Sequence, residues 1–316
     1  MESRVALHRY SMFVACATFF LLFAGGLVTS TGSGLSVPDW PLSFGKLFPK
    51  MTGGVFFEHG HRLVAGTVVF LTLGLVVWIL RKEDRPSVRW LGIFSIVAIF
   101  LQALLGGMTV LLKLPPAVSV AHAGLAQLFF CSVVAITLLT SATWMKGQRN
   151  IPDYGFPSIS TLTLVTLILI YFQILLGAIM RHIGAGLAIP DFPLAFGQVF
   201  PPKATMTFPV VIHFAHRVGA VVVSIFVLWT QLRILRLTQR GEGVELRVGA
   251  WAALFLLFTQ VLLGGTIIWT QKAVFPTTSH VIIGAALLAT HLILFLLSKR
   301  FLKGVTSGFL ANSLAT

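Results

Sequence analysis

Eight long apolar stretches dominate the chain, at roughly 10–31, 56–80, 89–112, 118–145, 158–181, 210–236, 248–270 and 277–299. A helix needs about 20 predominantly apolar residues to cross a bilayer, and each stretch supplies them. Of the 316 residues, 56% are hydrophobic and 10% charged, where a soluble domain carries about 25% charge. That excludes an ordinary soluble enzyme and predicts an all-α membrane protein with eight transmembrane helices. The net charge of +14 does not point to nucleic acid, because the basic residues cluster between the apolar runs. Arg81, Lys82, Arg85 and Arg89, then Lys146 and Arg149, Arg233, Arg236, Arg240 and Arg247, and finally Lys299, Arg300 and Lys303 all fall on one side. The positive-inside rule makes that side, with both termini, cytoplasmic. Arg4 and Arg9 precede an apolar run without a small-residue cleavage site, which reads as a retained first span rather than a signal peptide. The lack of an Arg/Ser-rich leader favours a bacterial-type cell membrane.

The chain also repeats itself. Residues 25–49 read GGLVTSTGSGLSVPDWPLSFGKLFP and residues 177–201 read GAIMRHIGAGLAIPDFPLAFGQVFP, offset by 152. A second match pairs QALLGG at 102–107 with QVLLGG at 260–265. A repeat of about 150 residues with four spans in each copy gives two tandem four-helix bundles of the same orientation. The expected division is 1–145 for the first bundle, a polar cytoplasmic linker at 146–157, and 158–316 for the second. The long outer loops, about 32–55 and 182–209, mix Gly and Pro with Trp40, Phe44, Phe48, Phe192, Phe196 and Phe200. That composition suits short amphipathic segments over each bundle mouth, or plain aromatic anchors at the interface. Asp39 and Asp191 each follow a proline, which suits a turn or cap better than catalysis. Cys16 and Cys131 lie inside spans and read as small apolar core residues.

Polar side chains within a membrane are costly, so those present carry information. Four histidines obey the repeat. His61 in the second span matches His216 in the sixth, and His122 in the fourth matches His280 in the eighth. Each lies near the outer end of its helix, so each bundle offers two imidazoles at one depth. That is the arrangement for ligating the iron of a flat macrocycle between facing helices. The residue four positions on, on the same face, is small in every case: Ala65, Ala126, Ala220 and Gly284. Zinc fits poorly, since two imidazoles without a cysteine do not close a tetrahedral site. Close helix packing explains the small residues equally well.

At one place the symmetry fails. Glu58 lies three residues before His61 on the same face, while His213 stands three before His216. Glu58 is the one acid placed inside a span. It is either a salt-bridge partner of Arg62 or a carboxylate that handles protons beside a reactive centre. Arg62 and Arg217 directly follow the matched histidines, and two uses compete for them: pairing with haem propionates or snorkelling to the interface. His59 and His291 lack repeat partners and His182 falls in a loop, so none of the three is assigned a role.

With GGLVTSTGSGLSVPDWP, EHGHRLVAG at 58–66, HRVGA at 216–220 and the histidines of spans four and eight in place, the chain resembles the haem A synthase family over about residues 10–300. The resemblance implies oxidation of a methyl group of haem O to the formyl group of haem A, through hydroxylated intermediates and with molecular oxygen involved. It implies haem O as substrate at His61 and His122, haem b as cofactor at His216 and His280, and Glu58 as the essential acid. It brings in haem O synthase and cytochrome oxidase as partners together with an unidentified electron donor, and it leaves a homo-oligomer open. One subgroup carries a cysteine pair in the first outer loop; residues 32–55 here contain none, so a thiol relay there is in doubt. Two rival readings are a di-haem b-type electron-transfer cytochrome, which gives Glu58 no job, and a haem carrier or chaperone. A prenyl transferase lacks the acidic cluster needed for a magnesium diphosphate.

Overall fold

The computed structural model describes residues 2–147 and 149–304. Eight of its helices are long and apolar enough to cross a membrane. They are α1 (Glu2–Ser30), α2 (Gly54–Lys82), α3 (Pro86–Leu111), α4 (Pro116–Thr140), α6 (Ile159–His182), α7 (Phe208–Leu237), α8 (Val244–Trp269) and α9 (Val274–Phe301), with a short α5 (Ala142–Met145) after α4. Proline opens α3 and α4, where its missing N–H costs nothing and its fixed φ favours the first turn. The chain is a multi-pass membrane protein.

Helices α1–α4 pack in a ring, each against its sequence neighbour and α4 against α1; α6–α9 repeat the pattern. The rings meet where α1 touches α9 and α4 touches α6 and α9. Phe130 and Val134 of α4 pack there on Ala285 and Ala289 of α9, flanked by Phe19 and Leu22. Each ring has its own apolar core, around Leu75, Phe129 and Ile136 in the first and Val227, Leu288 and Phe301 in the second. Large apolar side chains such as Phe70, Trp251 and Phe255 point outward, which suits a surface solvated by lipid rather than water.

Three elements differ from the sequence expectation. The first helix begins at Glu2, well before residue 10, so its basic turn is helical too. The fourth span does not run on to 145: Ser141 is extended, and its hydroxyl accepts the Trp144 N–H (3.2 Å), capping the separate α5. Within 146–157, β1 (Ile151–Asp153) pairs in parallel with β2 (Leu302–Gly304). The Asp153 carboxylate accepts the N–H of Ile159 (2.7 Å) at the start of α6 and pairs with Arg233, so this stretch is tied to the second ring rather than slack.

The loops 31–53 and 183–207 lie at the same end of the two rings, called the loop face below. Each contains a two-residue hairpin turn, Phe44–Gly45 between bridged Ser43 and Lys46, and Phe196–Gly197 between bridged Ala195 and Gln198. All four turn residues have positive φ, the conformation of the tight turn that matches strand twist. Asp39 closes the first turn, its two carboxylate oxygens accepting from Phe44 N–H (2.7 Å) and Gly45 N–H (2.8 Å). Asp191 does the same with Phe196 and Gly197. The bonds from Gly45 and Phe44 hold the Asp39 carboxyl below the ordinary carboxylate range, and those from Gly197 and Phe196 do so for Asp191. Both aspartates are therefore turn residues. The second loop adds two 3-10 segments, Ala185–Leu187 and Lys203–Thr205.

Candidate active site

His61, His122, His216 and His280 each lie about two turns in from the loop face, on α2, α4, α7 and α9. Each imidazole is seated against a glycine of a neighbouring helix in its own ring. A methyl group added at Gly25 would stand 3.2 Å from Cε1 of His61, and one at Gly106 would stand 3.1 Å from Cε1 of His122. At Gly177 the distance to His216 is 2.9 Å, and at Gly264 it is 3.5 Å to His280. Gly25 and Gly177 match in the repeat, as do Gly106 and Gly264. The missing Cβ brings helix backbone close to the Cε1 atom of each ring. These glycines were visible in the sequence as repeat-matched positions, but nothing there showed that they receive the histidines.

The double glycine after Gln102 and Gln260 has a second use. Successive helix residues point about 100° apart, so the next glycine faces elsewhere. An added methyl at Gly107 would lie 2.6 Å from the Trp40 ring, and one at Gly265 would lie 2.9 Å from Phe192. The aromatic residue of each P-D-[W/F]-P motif thus rests on the helix that also backs a histidine, and covers the mouth of its ring.

A latch holds each loop in that position. Glu58 is buried. Its Oε2 accepts the Val37 N–H (2.8 Å), and its Oε1 pairs with Arg62 Nη2 at 2.6 Å. Arg62 in turn donates through Nη1 to the carbonyls of Asp39 (2.7 Å) and Leu42 (2.8 Å). In the second half Arg217 donates to the carbonyls of Asp191 and Leu194, both at 2.7 Å. His213 takes the place of the acid, with the Ile189 N–H 3.2 Å from its Nδ1 and Arg217 Nε 3.3 Å from its Nε2. Both guanidinium groups are therefore occupied by loop carbonyls. The Glu58–Arg62 pair seen as one alternative in the sequence is present, one helical turn from His61.

The remaining histidines also find places. His59 Nδ1 bonds the Ser43 hydroxyl (2.7 Å), another tie to the first loop. His291 is fully buried deeper in the second ring, its Nδ1 donating to the Leu287 carbonyl (2.9 Å) and its Nε2 3.0 Å from Gln231 Nε2. His182 ends α6 at the seam between the rings.

Around the two histidine pairs the halves differ. In the second ring His280 Nδ1 donates to the Gln260 carbonyl (3.1 Å), which leaves Nε2 with the lone pair, and His216 Nδ1 lies 3.1 Å from Gln173 Nε2. In the first ring Nδ1 of His61 is buried without a hydrogen-bond partner among the described residues, while His122 faces the Gln102 backbone as His280 faces that of Gln260. The Gln102 side chain donates to the His122 backbone carbonyl (2.9 Å), and where α6 has Gln173 the repeat puts Leu21 in α1. The members of each pair lie within Coulombic range of each other. Two imidazoles of one ring, each backed by a glycine, are a donor set that would hold an iron macrocycle.

The sequence profile of the COX15-CtaA cytochrome oxidase assembly proteins matches residues 52–292, a span that includes all four histidines and Glu58. The chain belongs to this family. Among similar proteins, one named haem A synthase from Symbiobacterium thermophilum is 31% identical over 268 residues, covering 82% of this chain and 84% of that protein. Another of that name from Shouchella clausii is 30% identical, over 84% of this chain and 88% of its own. A third, from Bacillus licheniformis, is 27% identical over 304 residues, 95% of this chain and 98% of the relative. Members of the family thus align with both rings and with the loops between them.

Proposed function

We propose that this chain is a haem A synthase in which the first ring binds haem O through His61 and His122, and the second holds haem b through His216 and His280. The observation that carries this division is the asymmetry of the repeat: four equivalent histidines, each seated on a glycine, but a carboxylate beside only the first pair. The hydrogen bonds add to it. At His280 the Nδ1–H bond to the Gln260 carbonyl fixes ring orientation and raises ligand basicity, as suits a resident cofactor, and at His216 the Gln173 amide restrains the ring. The His61 ring has Leu21 where His216 has Gln173 and lacks that restraint, as suits a macrocycle that must arrive and leave.

Haem b, bound in the second ring, would supply one-electron redox chemistry there. The chain's own residues do the rest. His61 and His122 hold the substrate iron, and so fix where the porphyrin edge lies. Trp40, resting on Gly107, closes the loop face against water. Oxidation of the methyl carbon to a formyl group removes four electrons, taken up by molecular oxygen, adds one oxygen atom, releases protons and develops positive character at that carbon. Glu58, charge-paired to Arg62 one turn from His61, stabilises such charge or accepts a proton; in a low-dielectric interior a fixed carboxylate acts strongly.

The loop face would lie outside a bacterial-type cell membrane, with the basic ends of the helices and both termini cytoplasmic. Haem O would come from a haem O synthase, and haem A would pass to a cytochrome oxidase.

Glu58→Gln tests the reading. The variant should retain haem at His61 and His122 while formyl production stalls, as measured by chromatography of extracted haem after co-expression with a haem O source. Glu58→His is the matched control, since the second half shows an imidazole serving the same loop contact at His213. It should keep the loop docked and still make no haem A. A normal yield of haem A from Glu58→Gln at equal protein level would remove the acid from the mechanism.

A further inference from the structure

The seam between the rings holds a cation with no anion beside it among the described residues. Arg181 lies on α6, one turn beyond Gly177 and on the same face, so it stands above the glycine that receives the His216 ring. Its Nη2 donates to the Gly26 carbonyl (3.2 Å) and the Ser30 hydroxyl (2.9 Å) of α1. Thr278 of α9, two residues before His280, donates to the same Ser30 oxygen (2.9 Å). Arg181 is also within Coulombic range of His280. It forms no ion pair among the described residues, whereas Glu58, Glu83, Asp153 and Glu245 are all taken by other arginines. The repeat places Thr29 where Arg181 stands, so the first half lacks this cation.

A guanidinium inside a membrane protein is costly unless an anion meets it. Arg62 and Arg217, the other arginines near the histidines, donate through both Nη atoms to the loops, whereas Arg181 bonds α1 through Nη2 alone. We propose that Arg181 is the anion-binding residue of the second site and pairs with a propionate carboxylate of the haem held by His216 and His280. This rests on the reading of the second ring as a haem site. A carboxylate is well matched to a guanidinium fork. The pair would neutralise Arg181 at the seam, and it would tie the cofactor's orientation to the α1–α6 contact.

The test compares iron protoporphyrin IX with its dimethyl ester, whose propionates are blocked, on the haem-depleted full-length chain. The wild type should prefer the free acid by about tenfold or more for a charge-assisted pair. Arg181→Gln should abolish most of that preference, and Arg181→Lys should keep part of it. Ser30→Ala, which removes a strut but no charge, should leave it intact. In the loaded protein, Arg181→Gln should keep the low-spin spectrum but lower the ratio of reduced to oxidised haem about tenfold, or about 59 mV in midpoint potential. Equal binding of acid and ester by the wild type would overturn the role of Arg181 while leaving the haem site standing. Failure of the wild type to give a bis-histidine spectrum with either porphyrin would instead remove the second-ring reading. A loss in Ser30→Ala as large as that in Arg181→Gln would reduce Arg181 to a strut and overturn the proposal.

Discussion

Replacing the four histidine-backing glycines with alanine should weaken haem binding in an order set by the distances. An added Cβ at Gly177 would stand 2.9 Å from His216 Cε1, at Gly106 3.1 Å from His122, at Gly25 3.2 Å from His61 and at Gly264 3.5 Å from His280. Carbon atoms are best separated by about 3.5–4.0 Å. Alanine at 264 therefore meets its ring at ordinary contact, while alanine at 177 drives His216 back by roughly 0.6 Å to reach that range. Overpacking of this kind costs about 1–3 kcal/mol, or roughly 5- to 150-fold in affinity at 1.4 kcal/mol per tenfold. Alanine also favours the helix itself by about 0.5–1 kcal/mol over glycine. Gly177→Ala should thus leave the haem-free fold as stable as wild type, or slightly more so, while haem dissociates far more readily. Haem titration of the purified variants, with thermal unfolding of each apoprotein, gives both quantities. Equal haem affinity in Gly177→Ala and Gly264→Ala, or a loss that merely follows a loss of apoprotein stability, would refute the claim that these glycines seat the ligands.

Other outcomes follow from the loop contacts. Trp40→Ala should open the first mouth to water and lower haem A yield while leaving the second-ring haem spectrum unchanged, since Phe192 covers that ring independently. Gly107→Ala, at 2.6 Å from the Trp40 ring, should mimic it; the same spectra and yield measurements check both. For Asp39 the sign is fixed: its folded pKa is depressed by the Gly45 and Phe44 N–H groups, so its contribution is present above the ordinary carboxylate range and lost as pH falls through the folded value. The first loop should become more susceptible to an acid-active protease in that window, and Asp39→Asn should remove most of the pH dependence. Gln260→Leu should spare the His280 contact with the residue 260 carbonyl while removing the amide 3.3 Å from His280 Nε2, so the haem-free pocket loses a neighbour there but the second-ring spectrum should hold.

Much of this was legible in the sequence, because membrane helices declare themselves by length and apolarity and because the chain carries its own internal comparison. The eight spans, the tandem copies and the matched histidines all came from those two signals. What was not legible depends on direction rather than spacing. Gly106 and Gly107 look like one small-residue motif, yet one backs His122 and the other supports Trp40. Arg62 and Arg217 sit beside the histidines in sequence, but the helix turns them toward loop carbonyls that belong to residues some twenty positions earlier. The boundary at Thr140 was hidden because Ala142–Met145 is as apolar as the span before it; only the Ser141 cap separates them.

The two halves share one scaffold, and their chemical difference is confined to a few positions where the repeat is broken. Glu58 against His213 gives the first ring a buried charge, yet both residues serve the same loop through Val37 or Ile189 and through the following arginine. The carboxylate is therefore not needed to hold the loop, since an imidazole suffices in the second copy. Leu21 against Gln173, and Thr29 against Arg181, run the other way: the second ring gains an amide beside His216 and a cation at the seam, and under the proposed division these serve its haem. A residue that a structural role does not require, placed beside the pair of ligands with the fewest constraints, is what a site of turnover needs. Ligands tied at Nδ1, with a cation one turn above, are what a permanent redox group needs. Copying the second set into the first ring, as Leu21→Gln with Thr29→Arg, should accordingly tighten haem retention at His61 and His122 and slow release of product. Faster turnover in that double variant, measured as haem A per protein, would contradict the division of labour.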